Sequence, residues 1–313
     1  MKSGKIINLV KEEYRINRTR AAEIADAKLS AAMKNEDFAK ITREISALNF
    51  EIAFAKAHNN DTSAKEKELR LAFEKRGALL KKMKMSEKDF EPVIRCPVCR
   101  DAGIVNGRFC QCFKTRYYEV LADYLDIGQM PRFGFDDADF SEIRNAAQRK
   151  KLESNYKIFK KYAEKYPDVK YKNAVIMGGT GVGKSYLTAA VANAMKKKGL
   201  GVIYISAIQL DRLMLLYHTS LANERDVYLA DIIDCDFLVI DDLGSEQKIK
   251  NVTDEYLLKI LDERETNNKP VFVTTNLNID QLRSAYNERL FSRLTNINRT
   301  ILSNIDGDDL RLN

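Results

Sequence analysis

Residues 174–199, "AVIMGGTGVGKSYLTAAVANAMKKKG", carry the most specific pattern in the chain. Four apolar residues run into a glycine-rich segment, and a helical pattern follows that ends at Gly199 with lysines in its last turn. Gly178, four further residues, Gly183, Lys184 and Ser185 complete G-x-x-x-x-G-K-[ST], in the strand-then-helix context this motif requires. Glycines let the backbone curl until its N–H groups converge on phosphates, and the helix N-terminus adds partial positive charge. The candidate contacts to ATP are therefore Gly178, Gly179, Thr180, Gly181, Val182, Gly183, Lys184, Ser185 and Tyr186. Lys184 is expected at the β- and γ-phosphates, and the Ser185 hydroxyl on Mg²⁺.

From about residue 173 onward, short apolar runs alternate with helical segments. "VIYIS" (202–206), "FLVID" (237–241), "VFVTT" (271–275) and "TILSNI" (300–305) predict an α/β domain with a parallel sheet. "FLVIDD" delivers two carboxylates at the end of its strand. Asp241 fits the acid on the Mg²⁺ side of a phosphoryl-transfer site, and Asp242 the position that polarises an attacking water. Asn276, directly after "VFVTT", places an amide beside that strand to orient water or the γ-phosphate. In "ERLFSRL" (288–294), Arg289 and Arg293 share one helical face. Either reaches a neighbouring subunit's nucleotide, or both are ordinary arginines of a surface helix.

Residues 5 to 90 contain no proline and are rich in Ala, Lys and Glu. Apolar side chains fall at Phe38, Ile41, Ile45, Leu48, Ile52 and Ala55, then at Leu69, Phe73, Leu80 and Met83, with Arg76 the polar interruption of the second run. Alternating steps of three and four predict two helices packed through one seam. "HNNDTS" (58–63) breaks the pattern, and Ser63 with Glu66 reads as a capping box for the second helix. A further helix is expected around Ala22, Ala25, Leu29 and Ala32. Tyr14, Phe50, Phe54 and Leu71 lie off the seam; they either complete a three-helix core or stay exposed to dock a partner.

"CPVCRDAGIVNGRFCQCF" (96–113) holds four of the five cysteines as C-x₂-C, ten residues, C-x-C. Cys96, Cys99, Cys110 and Cys112 offer four soft ligands for a tetrahedral Zn²⁺, with no position left for water, so the metal is expected to be structural. Gly103 and Gly107 permit the tight reversal between the pairs, and Cys235 stands apart in a predicted strand. Arg95, Arg100, Arg108, Lys114 and Arg116 decorate the segment, either to meet phosphates or to offset the thiolate charge.

The 313 residues, 45% hydrophobic and 31% charged, suffice for two domains. No uncharged apolar run approaches the ~18 residues of a membrane span, and the cysteine spacing does not suit a secreted disulfide framework. A soluble, cytoplasmic protein without membrane contact is expected. The formal charge of +7 mildly favours an acidic partner.

The motif at 178–185 (Walker A), "IDDLGSE" (240–246), a strand ending in "TTN", and "ERLFSRL", in this order, resemble an AAA+ ATPase of the DnaC/DnaI type, the bacterial replicative helicase loaders of the IstB-related group. The likeness runs through the C-terminal half, and extends upstream to the cysteine segment and "MPRFGFDDADF" (130–140), which are similar to the zinc knuckle and linker of loaders and their phage-borne relatives. The resemblance implies an AAA+ P-loop NTPase with a parallel sheet and a truncated lid, preceded by a helical module and a Cys₄ knuckle. Residues 1–90 become a partner-docking module, 91–125 the knuckle and a connecting helix, 126–172 a linker and leading helix, and 173–313 the ATPase. By matching motifs, Lys184 and Ser185 belong to Walker A, Asp241 and Asp242 to Walker B, Asn276 is sensor 1, Arg293 the arginine finger and Arg311 a candidate sensor 2. Two departures stand out. Many AAA+ proteins have glutamate where Asp242 stands, which puts the strength of hydrolysis in doubt, and only 37 residues follow Asn276, too few for a full lid. The implied partners are a hexameric DnaB-type helicase, single-stranded DNA and further copies of the chain. The alternatives are an IstB-like ATPase helper of DNA transposition, or a zinc-stabilised nucleic-acid binder whose ATPase is vestigial.

Overall fold

A computed structural model describes residues 2–127, 130–221 and 226–312. Contacts divide the chain into two units, residues 11–108, and residues 109–313 together with 1–10.

The smaller unit is built on α1 (Lys2–Ala32) from Lys11 onward, α2 (Glu36–Ala57) and α3 (Ser63–Lys82). Asn35 caps α2 by accepting the Phe38 N–H at 3.0 Å. Ile41, Ile45 and Leu48 of α2 close on Ala72 of α3, with Leu69 and Leu79 at the margin. A second cluster gathers Ala32, Phe38 and Leu80 with Leu29, Met33, Met83, Met85 and Phe90. On α2 the buried stripe is the expected seam. Leu69 and Leu80 of α3 and Met83 at its end pack as expected, but at one position the seam shifts by a residue: Ala72 is 1% exposed, whereas Phe73 is 45% exposed. A methyl group lets the helices approach closely where a phenyl ring would hold them apart. Arg76 stays on the seam because its guanidinium lies 5.3 Å from the Phe38 ring centroid and pairs with Glu87 at 2.8 Å. The expected Ser63/Glu66 capping box does not form. Thr62 is the N-cap residue, Asp61 accepts the Ser63 N–H at 3.0 Å, and Glu66 instead accepts from the Thr62 hydroxyl at 3.1 Å. Of the four residues off the seam, Phe50, Phe54 and Leu71 remain exposed, whereas Tyr14 is partly buried.

Within the cysteine segment β1 (Ile104–Val105) and β2 (Arg108–Phe109) form a two-stranded sheet. In the larger unit β3 (Asn173–Gly178), β4 (Val202–Ser206), β5 (Phe237–Leu243), β6 (Val271–Thr275) and β7 (Thr300–Ile305) form one parallel sheet in the order β4-β5-β6-β3-β7, with α7 (Ala207–Thr219) following β4 and α10 (Ile279–Ala285) following β6. The inner strands β3, β5 and β6 are buried along most of their length, as strands covered on both faces are, whereas the edge strands β4 and β7 mix buried with more exposed side chains. β3, one strand in from the β7 edge, feeds α6 (Lys184–Lys197), and the chain then crosses to the far edge before returning through β5 and β6. The end of β3 is thus a switch point, where open α/β sheets bind ligands.

The core includes a helix that precedes the sheet. On α5 (Ala146–Lys165), Leu152, Tyr156, Phe159 and Tyr162 pack with Ile176, Leu187, Val191, Met195, Phe237 and Phe272. The rings of Phe159 and Phe237 approach that of Phe272 with centroids 5.6 and 4.9 Å away. Upstream, α4 (Gln111–Leu125) anchors through Thr115, whose hydroxyl donates to the Gly199 carbonyl at 2.7 Å, and through Tyr117, which donates to Asp231 at 2.7 Å.

Between α8 (Asp226–Asp234) and β5 lies Cys235, in a turn rather than in the expected strand. Its thiol is fully buried, and burial pushes its pKa up. Beside it Arg264, on α9 (Thr253–Thr266), is 0% exposed. One guanidinium nitrogen donates to the carbonyls of Ile232, Ile233 and Cys235 at 2.9–3.0 Å, and the other to that of Pro270 at 2.7 Å. This cation closes the open C-terminal end of α8 and ties it to α9 and β6. Arg264→Leu strands these carbonyls without donors, so it is expected to destabilise the fold by about 3 kcal/mol. A lower urea midpoint checks this; an unchanged midpoint contradicts it.

Candidate nucleotide site and cysteine cluster

The loop between β3 and α6 follows a path that side chains would block. Gly178, Gly181 and Gly183 have φ of 153°, 74° and 96°. A Cβ on Gly178 would lie 2.1 Å from the Ile305 carbonyl oxygen, and one on Gly181 would enter the carboxylate of Asp309. Val182 is buried beneath the loop, while Gly179 and Thr180 face solvent.

Lys184 is 6% exposed. Its amine donates to the carbonyls of Gly178 (2.9 Å) and Gly179 (2.6 Å) and to Oδ1 of Asn276 (2.7 Å). Burial pushes its pKa down, and the charges of Asp242 and Asp241 oppose that shift. The Ser185 hydroxyl donates to Asp241 Oδ1 at 3.0 Å, and Asn276 Nδ2 donates to Asp242 Oδ1 at 2.6 Å. The glycine loop, the lysine, both carboxylates and the amide are therefore one hydrogen-bonded group.

Successive side chains of a regular strand point to opposite faces, so two adjacent acids would not ordinarily serve one site. Here the β5–β6 register shifts between Ile240 and Leu243, and Asp242 takes a left-handed φ of 59°. Aspartate tolerates that conformation better than most residues. The irregularity is held by Thr274, a fully buried residue that the motifs do not single out. Its hydroxyl donates to Asp241 Oδ1 at 2.6 Å and accepts the Asp242 N–H at 2.7 Å. Thr275 likewise donates to the Leu243 carbonyl at 2.6 Å. The paired threonines of "VFVTTN" were the available signal, but their partners depend on register.

A cavity of about 880 Å³ opens beside Lys184 and Ser185. Its opposite wall is the segment Asp137–Phe140 with Phe133, Ile143 and Arg144, backed by Tyr156 of α5. Tyr186 is half exposed at the rim, edge-on to Phe133 at 4.9 Å. The volume and mixed lining suit a nucleotide-sized ligand. The linker "MPRFGFDDADF" is thus a wall of the site. Arg311 reaches the same cavity, its guanidinium held by Asp309 at 2.7 and 2.9 Å. The backbone N–H of Leu310 donates to the Gly181 carbonyl at 3.0 Å. Ser185 and Asp241 present the hard oxygen ligands that Mg²⁺ favours.

Arg289 and Arg293 lie together on α11 (Glu288–Leu294), lining a separate cavity of about 320 Å³ with Leu258 and Asp262 of α9. Arg293 pairs with Asp262 and, at 3.6 Å, with Glu265. Within the chain the structure does not bring either arginine to the cavity beside Lys184.

The sulfur atoms of Cys96, Cys99, Cys110 and Cys112 all lie within 4.8 Å of one another. A tetrahedral site with Zn–S bonds of ~2.3 Å requires S···S separations of ~3.8 Å, so the four fit one zinc ion after slight contraction. Supporting contacts are local. Asp101 accepts the N–H groups of Arg95 (2.9 Å) and Cys96 (2.7 Å), and the Gly103 N–H points to the Cys99 sulfur at 3.4 Å. Cys235 is not part of the cluster.

Residues 116–305 match the family described as IstB-like ATP binding protein. The chain is 30% identical over 124 residues to the uncharacterized protein YdaV of Escherichia coli K12, covering 39% of this chain and 49% of the relative. It is 26% identical over 137 residues to the replicative helicase loader DnaC of the same strain, covering 43% and 54%. The chain thus spans about half the length of the curated relatives it matches. A crystal structure of DnaI is similar with a TM-score of 0.44 and 25% identity, over 60% of this chain and 92% of that one.

If the cysteines are a metal cage, freshly purified protein should contain one zinc per chain by elemental analysis. Cys110→Ser should lower that content sharply, and Cys235→Ser should leave it unchanged. Zinc-free protein with intact thiols contradicts the assignment.

Proposed function

The chain belongs to the family of IstB-like ATP binding proteins, and from that premise we propose that it is an ATPase that loads a hexameric DnaB-type helicase onto single-stranded DNA when replication starts or restarts. One observation carries the enzymatic part: Lys184 and Ser185 line a nucleotide-sized cavity and are hydrogen-bonded to Asn276 and Asp241, with Asp242 bonded in turn to Asn276. Loop N–H groups and the Lys184 ammonium hold the phosphates of ATP and offset their charge. Ser185 and Asp241 would hold Mg²⁺, which would supply positive charge to offset that of the phosphates. Asn276 orients Asp242, whose free carboxylate oxygen polarises the attacking water and receives its proton. An aspartate reaches less far than the glutamate common at this position, so turnover is slow until a partner or DNA improves the alignment. Arg293 serves the nucleotide of a neighbouring copy once subunits assemble, exchanging its bond to Asp262 for the developing phosphoryl charge.

The helical unit supplies the helicase contact through the exposed Phe50, Phe54 and Leu71, and the zinc cluster is structural. Support for a loader rather than another ATPase comes from the combination of a Cys₄ cluster and a helical unit with the similarity to DnaC. The family match itself favours a second reading, a helper of DNA transposition. Co-purification of a hexameric helicase supports the first, and of a transposase the second.

For the chemistry, Lys184→Ala is expected to abolish ATP binding. Asp242→Asn should retain binding while turnover falls about a hundredfold or more, as loss of a general base does. Wild-type turnover in Asp242→Asn removes the role given to that carboxylate.

A further inference from the structure

The formal charge of +7 is not spread evenly along the chain. Residues 149–172 hold nine basic and three acidic side chains, a net of +6. With Lys196, Lys197 and Lys198 the local excess becomes +9, which leaves the remainder of the chain at −2. The fold joins these two stretches. Lys198, just past α6, donates to the carbonyls of Glu164 and Tyr166 at the end of α5, at 2.8 and 2.9 Å.

Lys157, Lys161, Lys165, Lys170 and Lys197 are all exposed, and among the described residues no carboxylate pairs with them. Lys172 and Lys198 bond only to backbone carbonyls, which leaves their charges uncompensated. Two aromatic rings lie under the cations: the Lys170 amine is 4.8 Å from the Tyr171 centroid, and that of Lys172 is 5.5 Å from Tyr166. Lysines at helix C-termini also complement the helix dipole. That effect covers Lys165 and Lys197, but neither Lys157, more than one turn inside α5, nor Lys170 and Lys172 beyond its end.

We propose that this surface, made by the outer face of α5, the segment 170–172 and the end of α6, binds the phosphodiester backbone of DNA without regard to base sequence. Exposed flexible ammonium groups match phosphates in a line, the contact that supplies sequence-independent binding. The inference deepens the loader reading and rests on it only for the presence of DNA. An α6 of 14 residues, about 20 Å at 1.5 Å per residue, separates the patch from Lys184. DNA held there leaves the nucleotide site open.

The test uses the full chain, with Lys161→Glu, Lys165→Glu and Lys197→Glu combined. Binding to fluorescein-labelled oligo(dT), and to a duplex, is followed by anisotropy over a range of NaCl concentrations without nucleotide. Wild-type protein is expected to bind with a steep salt dependence. The triple variant should lose about tenfold or more in affinity, and its log–log salt slope should flatten by about two on oligo(dT) or nearly three on duplex. An unchanged affinity for a fluorescent ATP analogue shows that the variant is folded. A loss in either DNA arm supports the surface and identifies the form of DNA it holds. Unchanged affinity and slope in both arms overturn it, as does a loss confined to binding of poly-glutamate, which would mark an acidic protein partner. Repeating the DNA arm in Lys184→Ala separates the two claims. Patch-dependent binding that persists there stands even if the ATPase proves inert, and an active ATPase does not rescue a patch that binds nothing.

Discussion

A buried ammonium group organises the nucleotide site. The amine of Lys184 has left water, and its three hydrogen bonds go to Gly178, Gly179 and Asn276. Burying a cation is costly unless acceptors surround it. Two of these come from the glycine loop, whose path needs the glycine-type angles of Gly178, Gly181 and Gly183. The third comes from the end of β6, so β6 must lie next to β3. That neighbour relation is met because the chain runs from β3 to the far edge and returns through β5. The strand order and the position of one lysine are in this sense the same constraint.

The carboxylates depend on the same strand pair. Thr274 pins Asp241 and the Asp242 N–H across β5 and β6, and the irregularity it holds turns both acids toward the loop. Around this frame the remaining walls are borrowed. The linker at 133–144 and α5 close one side, while Leu310 and Arg311 reach the other. Residues ahead of the sheet therefore contribute both to the core of the α/β unit and to the lining of its cavity.

What was legible in the sequence was local. The loop motif, the five strands, the α2 seam and the cysteine cluster each depend on spacing within a few tens of residues, and each stands where it was expected. The pieces that depend on distant partners were hidden. Thr274 resembles any β-branched strand residue until the register with β5 is known. The shift from Phe73 to Ala72 on α3 arises because Ala72 allows a close approach that a hydrophobic pattern ranks below Phe73. Cys235 follows an apolar helix and precedes an apolar strand, so its place in the turn between them depends on Arg264. The linker showed only its likeness to other linkers, since forming a pocket wall requires the fold.

The central claim is that β6 positions the β5 carboxylates, and the Mg²⁺ dependence of ATP hydrolysis in Thr274→Val tests it most directly. Valine keeps the shape and removes the hydroxyl, so ATP affinity measured without Mg²⁺ should stay near that of the unaltered protein. The Mg²⁺ concentration for half-maximal turnover should rise about tenfold, as loss of a supporting hydrogen bond to a metal ligand does. Thr274→Ser should restore it. Wild-type turnover and Mg²⁺ dependence in Thr274→Val would show that the carboxylates hold their places without β6, and the account would fail at its centre.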